Sequence, residues 1–130
     1  MKKIYFIAAS LICCSFFTCK ENELLNKHEV EQELALLFNQ IKLLSESTPC
    51  ENAADWKYVE YGDQTCGGYI GFIYYSTKID TIKFLKLVNN YTVKQKEFNI
   101  KWPQNPVVCI DYLVPTHIVC ENGKPKGYLN

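Results

Sequence analysis

Residues 56–76 read WKYVEYGDQTCGGYIGFIYYS, and the way they fold settles the class of the whole chain. Trp56, Tyr58 and Glu60 alternate with Lys57, Val59 and Tyr61, the two-residue period of a strand. Gly62-Asp63-Gln64-Thr65 carries turn chemistry. Residues 66–76 follow as a second strand, rich in aromatic and β-branched residues. Its glycines, Gly67, Gly68 and Gly71, weaken a strand unless the backbone bends or another chain passes close by. A tight start pinned by Cys66 and a simple bulge beside the turn both fit that pattern.

Helical periodicity flanks this pair of strands. Val30, Leu34, Leu37, Phe38, Ile41 and Leu44 recur every three or four residues, which predicts a helix from Glu29. Ser45-Glu46-Ser47-Thr48-Pro49 should end it near Ser45. A second helix should follow Asp80, whose carboxylate suits an N-cap, with Ile79 and Phe84 at staple positions. Phe84, Leu87, Val88, Tyr91 and Phe98 mark its core face, and Trp102-Pro103 and Asn105-Pro106 its end. VVCIDYLVPTHIVC, residues 107–120, then reads as a hairpin centred between Val114 and Pro115. Gly123-Lys124-Pro125 looks like a turn and residues 126–129 like a last short strand. The order α-β-β-α-β-β predicts an α+β fold: a small antiparallel sheet of about four strands packed against two helices.

A chain of 130 residues is enough for one domain, expected over residues 28–130. The 14 acidic residues balance 14 basic ones, and every basic residue is Lys. Without Arg, and without a dense basic patch, nucleic acid is not an expected partner. Lys2 and Lys3 precede an apolar run, Ile4–Phe17, which has the length of a signal-peptide core and is short for the ~20 residues of a bilayer span. Residues 1–18 are therefore expected to be a signal peptide, and the protein to be exported.

Phe16-Phe17-Thr18-Cys19 resembles a bacterial lipobox, in the looser form of Bacteroidota lipoproteins. The resemblance implies that Cys19 becomes the first residue of the mature protein and carries acyl chains. Each buried methylene adds ~0.8 kcal/mol of membrane affinity, so several chains anchor firmly. Residues 19–27 would form a lipidated tether. Lys20-Glu21-Asn22-Glu23 is similar to the Lys-plus-acid tag that sends some of these lipoproteins to the outer face of the outer membrane. Periplasmic and surface display stay open as equal alternatives.

Seven cysteines become five once Cys13 and Cys14 leave with the signal peptide. With Cys19 lipidated, Cys50, Cys66, Cys109 and Cys120 remain, and two disulfides are expected in an oxidising compartment, with three possible connectivities. A hairpin centred on Val114-Pro115 would set Cys109 opposite Cys120, which leaves Cys50 for Cys66 by elimination. No C-x-x-C pair supports a metal site, and no catalytic fingerprint is present, so neither metal nor cofactor is expected. His28, His117, Asp111 and Glu121 carry no motif, and Asp80 is explained by capping.

The aromatic second strand is the most suggestive feature. It puts Tyr69, Ile73 and Tyr75 on one side and Ile70, Phe72 and Tyr74 on the other. A two-layer domain covers only one sheet face well, so Tyr69, Tyr74 or Tyr75 can face solvent as sugar platforms or contact anchors. Alternatively, helices cover one face and tyrosine hydroxyls wet the other.

Across Cys50–Gly127, several spaced features are similar to a group of short bacterial secreted or lipid-anchored proteins of uncharacterised function. They are Cys50 with Ala54-Asp55-Trp56, Cys66-Gly67-Gly68, Tyr75-Ser76-Thr77-Lys78-Ile79-Asp80, Tyr91–Asn99, and a late Cys109/Cys120 pair before Asn122-Gly123-Lys124-Pro125. The resemblance implies no reaction or ligand. The expected function is that of a lipid-anchored envelope protein, a non-enzymatic binding module for a protein partner in the manner of an inhibitor. A glycan-binding module using the Tyr69–Tyr75 strand is the alternative, and a small hydrolase a distant one.

Overall fold

Two helices and two hairpins alternate along the chain in the computed structural model, which describes residues 17–103 and 109–129, with side chains from residue 23 onward. The expected signal peptide lies outside the described residues but for its last two, and so does the side chain of Cys19. Helix α1 spans Phe17–Ser45 and so begins well before Glu29. No Gly or Pro interrupts residues 17–45, and Lys, Glu and Leu, all good helix formers, fill the segment read as a tether. Its end falls where the sequence placed it. The Ser45 and Ser47 hydroxyls donate to the Lys42 and Leu44 carbonyls at 2.8 and 2.7 Å, which satisfies acceptors left free at a helix terminus.

The chain divides after Gln32 into two units. In the first, Lys27 lies 3.8 Å from Glu31, a helical i,i+4 pair, and the ring of His28 meets the Gln32 amide at 3.1 Å. The second, residues 33–130, holds the core. Strand β1 (Trp56–Tyr61) pairs antiparallel with β2 (Gly71–Ser76), from Trp56↔Ser76 to Tyr61↔Gly71. One face of this hairpin carries Tyr61, Ile73 and Tyr75 and meets both helices. Phe38 of α1 stacks on Tyr61 at 5.3 Å, and Phe84 of α2 (Thr81–Lys101) lies 4.8 Å from the Tyr75 ring. Leu34, Leu37, Ile41, Phe84, Val88, Tyr91 and Phe98 are buried around them. The apolar stripes of both helices are thus the core faces that periodicity predicts. Asp80 caps α2 as expected, accepting from the Lys83 amide at 2.9 Å.

Two expectations need correction. Strand β2 starts at Gly71, so residues 66–70 belong to a loop. That loop closes through bonds between Gln64 and Gly67 and between Gln64 and Gly68, with both glycines at φ near +90°. The second hairpin also lies further along the chain than expected. Strands β3 (His117–Glu121) and β4 (Lys124–Tyr128) pair from His117↔Tyr128 to Glu121↔Lys124. Their turn is Asn122-Gly123, with φ of 52° and 73°, the pair of positive values that a type I′ turn requires. Residues 109–115 form no strand, and Val107 and Val108 lie outside the described residues.

In this register Cys120 faces Pro125, not Cys109. Both expected pairings, Cys109–Cys120 and Cys50–Cys66, are therefore replaced. The disulfides are Cys50–Cys120, with Cα atoms 5.3 Å apart, and Cys66–Cys109, 6.2 Å apart. The fold is α+β: the described residues form four antiparallel strands in the order α-β-β-α-β-β, but as two separate two-stranded sheets. The hairpins touch where Tyr74 of β2 passes under Gly127 of β4. A Cβ at Gly127 would collide with the Tyr74 hydroxyl and with Pro115.

Candidate functional site

Three polar side chains on one face of α2 fix the loop between β1 and β2. Thr92 Oγ1 accepts from the Gly62 amide at 2.9 Å, and Gln95 Oε1 accepts from the Asp63 amide at 3.1 Å. Asn99 Nδ2 donates to the Asp63 carbonyl at 2.7 Å. Their spacing of three and four residues puts them in one row. The loop they hold presents Gln64, whose side-chain amide makes three hydrogen bonds. Its Nε2 donates to the carbonyls of Tyr69 and Ile110, both at 2.7 Å, and its Oε1 accepts from the Ile110 amide at 2.9 Å.

Ile110 opens the segment Ile110-Asp111-Tyr112-Leu113-Val114, which has no turn or bend. Cys66–Cys109 ties its start to the loop. Tyr69 donates its hydroxyl to the Tyr112 carbonyl at 2.9 Å, and Pro115, buried, closes its far end. Loss of hydration, with the carboxylates of Glu60 and Asp111 nearby, holds the Tyr69 hydroxyl above its ordinary value of 10.0. The Ile110 amide and carbonyl and the Tyr112 carbonyl are bonded to the body. The main-chain groups of Asp111 and Leu113 have no partner among the described residues. The side chains are exposed: Ile110 51%, Leu113 71% and Val114 51%. Exposed apolar residues on a segment pinned at several points form a surface already ordered for contact.

The tyrosines singled out in the sequence part company. Tyr75 is buried against Phe84 and is a core residue. Tyr69 sits in the loop before β2 and positions Tyr112. Tyr74 lies under the second hairpin, where burial raises its hydroxyl above 10.0. Tyr69 and Tyr74 belong to a run of neighbouring rings, Tyr74–Tyr58–Phe72–Tyr69–Tyr112, with centroids 4.9 to 6.3 Å apart and planes meeting at 36° to 81°. Two of these contacts, Tyr58–Phe72 and Tyr58–Tyr74, are edge-to-face.

The ionisable residues noted in the sequence stay apart. His28 contacts Gln32, His117 stacks on Tyr128 at 5.7 Å, and Asp80 is a cap. Glu121 accepts from the Tyr128 hydroxyl and from Lys126, and Asp111 lies in the exposed segment. No three potential metal ligands cluster among the described residues. No helix among them is long and apolar enough to cross a membrane. Sequence reading missed Gln64, Thr92, Gln95 and Asn99; the polar row at 92, 95 and 99 inside an amphipathic helix was the available signal. Comparison with family models, with curated proteins and with solved structures gives no match in any of the three.

Proposed function

We propose that this chain is an exported lipoprotein of the bacterial outer membrane, anchored through Cys19, whose body is a non-enzymatic binding module for a protein partner. The observation that carries the reading is the segment Ile110–Val114, apolar, exposed and pinned at Cys109, Ile110, Tyr112 and Pro115. Binding at such a surface costs little backbone entropy, because the backbone is already fixed. An inhibitor of a secreted hydrolase presents its contact residues in the same manner, as an ordered extended stretch laid into a substrate cleft. The apolar N-terminal run with two lysines before it, and the lipobox-like Phe16–Cys19, support export and lipidation.

The test uses the mature protein in detergent. Mass spectrometry of its N-terminus should find acylated Cys19, and Cys19→Ser should release the protein from the membrane. Extracellular and periplasmic hydrolases are then assayed with the protein present. Inhibition should fall at least tenfold with Leu113→Asp and stay unchanged with Ile82→Asp, at an exposed position on α2. Equal behaviour of the two variants would remove the segment from the function.

A further inference from the structure

Beyond the presented segment, we infer that the open edge of β2 is a receiving site for an extended peptide segment of a partner protein, bound by strand addition. Among the described residues, strand β2 has β1 on one side and no strand on the other. The Thr77 amide donates to the Asp55 carbonyl at 2.7 Å, one step beyond Trp56↔Ser76 in the same register. Antiparallel pairs alternate between bonded and non-bonded, so Lys57↔Tyr75, Val59↔Ile73 and Tyr61↔Gly71 are the bonded ones. The amides and carbonyls of Phe72 and Tyr74 then point away from β1, and no hydrogen bond among the described residues takes them up.

A cavity of about 690 Å³ lies along this edge. Phe38 and Lys42 of α1, with Glu46 just past its end, form one wall, and the β3–β4 turn with Lys124 and Pro125 forms the other. Exposed edges are normally blunted by charge, proline or a bulge, yet Gly71–Ser76 contains no charged residue and no proline. Two main-chain donors and two acceptors in a row fit the main chain of another strand, the pairing used in β-augmentation. The walls define the rest of the ligand. Its side chains would alternate between Phe38 and Tyr61 on one side and Tyr74 and Pro125 on the other, which suits bulky apolar residues. Lys42 and Lys124, one on each wall, have no ion-pair partner among the described residues and face the single carboxylate of Glu46. The peptide should therefore carry acidic residues beside its apolar ones. None of the cavity's lining residues belongs to Ile110–Val114, so this inference and the preceding reading stand or fall separately.

Randomised eight-residue peptides displayed on phage, selected on the mature protein, test the site. Enriched sequences should alternate apolar residues with Asp or Glu. Synthetic copies should lose at least tenfold in affinity when the central amides are N-methylated, or when the protein carries Lys42→Glu with Lys124→Glu. Leu113→Asp should leave binding unchanged. No enrichment, or peptides that tolerate N-methylation or the paired charge reversal, would overturn the inference. Concentration-dependent self-association abolished by the same charge reversal would also overturn it, by making a second copy the occupant.

Discussion

At the scale of single residues, Gln64 joins the loop, the disulfide and the exposed segment. Its side chain spends all three of its bonds on main chain, two of them on Ile110 across 46 residues of sequence. A net hydrogen bond contributes about 1 kcal/mol, so Gln64→Ala should lower stability by roughly 1–3 kcal/mol. The sharper readout is local. Amide exchange at Ile110 should accelerate strongly while exchange in the core around Phe84 changes only by the global loss; unchanged exchange at Ile110 would mean the clasp does not hold the segment. Nothing in the sequence marked Gln64, because two of its three bonds go to Ile110, far away along the chain. Asp80 was legible for the opposite reason: its partner, the Lys83 amide, is three residues on.

At the scale of elements, the same contrast separates what could be read from what could not. The helices announced themselves through local periodicity, and Phe84, Val88, Tyr91 and Phe98 are buried as their spacing requires. The second hairpin was misplaced because the β-rich residues 107–120 outweighed Asn122-Gly123, a strong short-range hairpin signal. One strand's error then carried over to both cysteine pairs. This hairpin is also where pH should act. Bonds from Tyr128 and then Lys126 hold the Glu121 carboxyl below its ordinary 4.5. A depressed folded-state value means that the contribution is present above 4.5 and is lost as pH falls through the lowered value. Melting temperature measured from pH 6 to pH 2 should drop less steeply in Glu121→Gln than in the parent. The difference should be small, because these side chains are exposed.

At the scale of the whole molecule, the disulfides join residues 70 and 43 positions apart. In the chain-entropy model, closing loops of those lengths is worth about 4 kcal/mol each. They differ in access: Cys50 is buried, whereas Cys66 and Cys109 are exposed. Mild reduction should therefore open Cys66–Cys109 first. On the proposed function, Cys66→Ser with Cys109→Ser should leave a folded protein, with the core signature in circular dichroism intact, whose hydrolase inhibition is at least tenfold weaker. Full retention of inhibition would mean that preorganisation of Ile110–Val114 is not what the partner reads.

The two bridges are nested, the 66–109 link lying inside the 50–120 link. A ribosome or a translocon releases this polypeptide from its N-terminus, so among these four thiols Cys50 and Cys66 emerge first and find only each other. Any oxidant that acts before Cys109 arrives joins the wrong couple. Correct maturation then calls either for oxidation delayed until the tail is out, or for an isomerase that reshuffles the early bond.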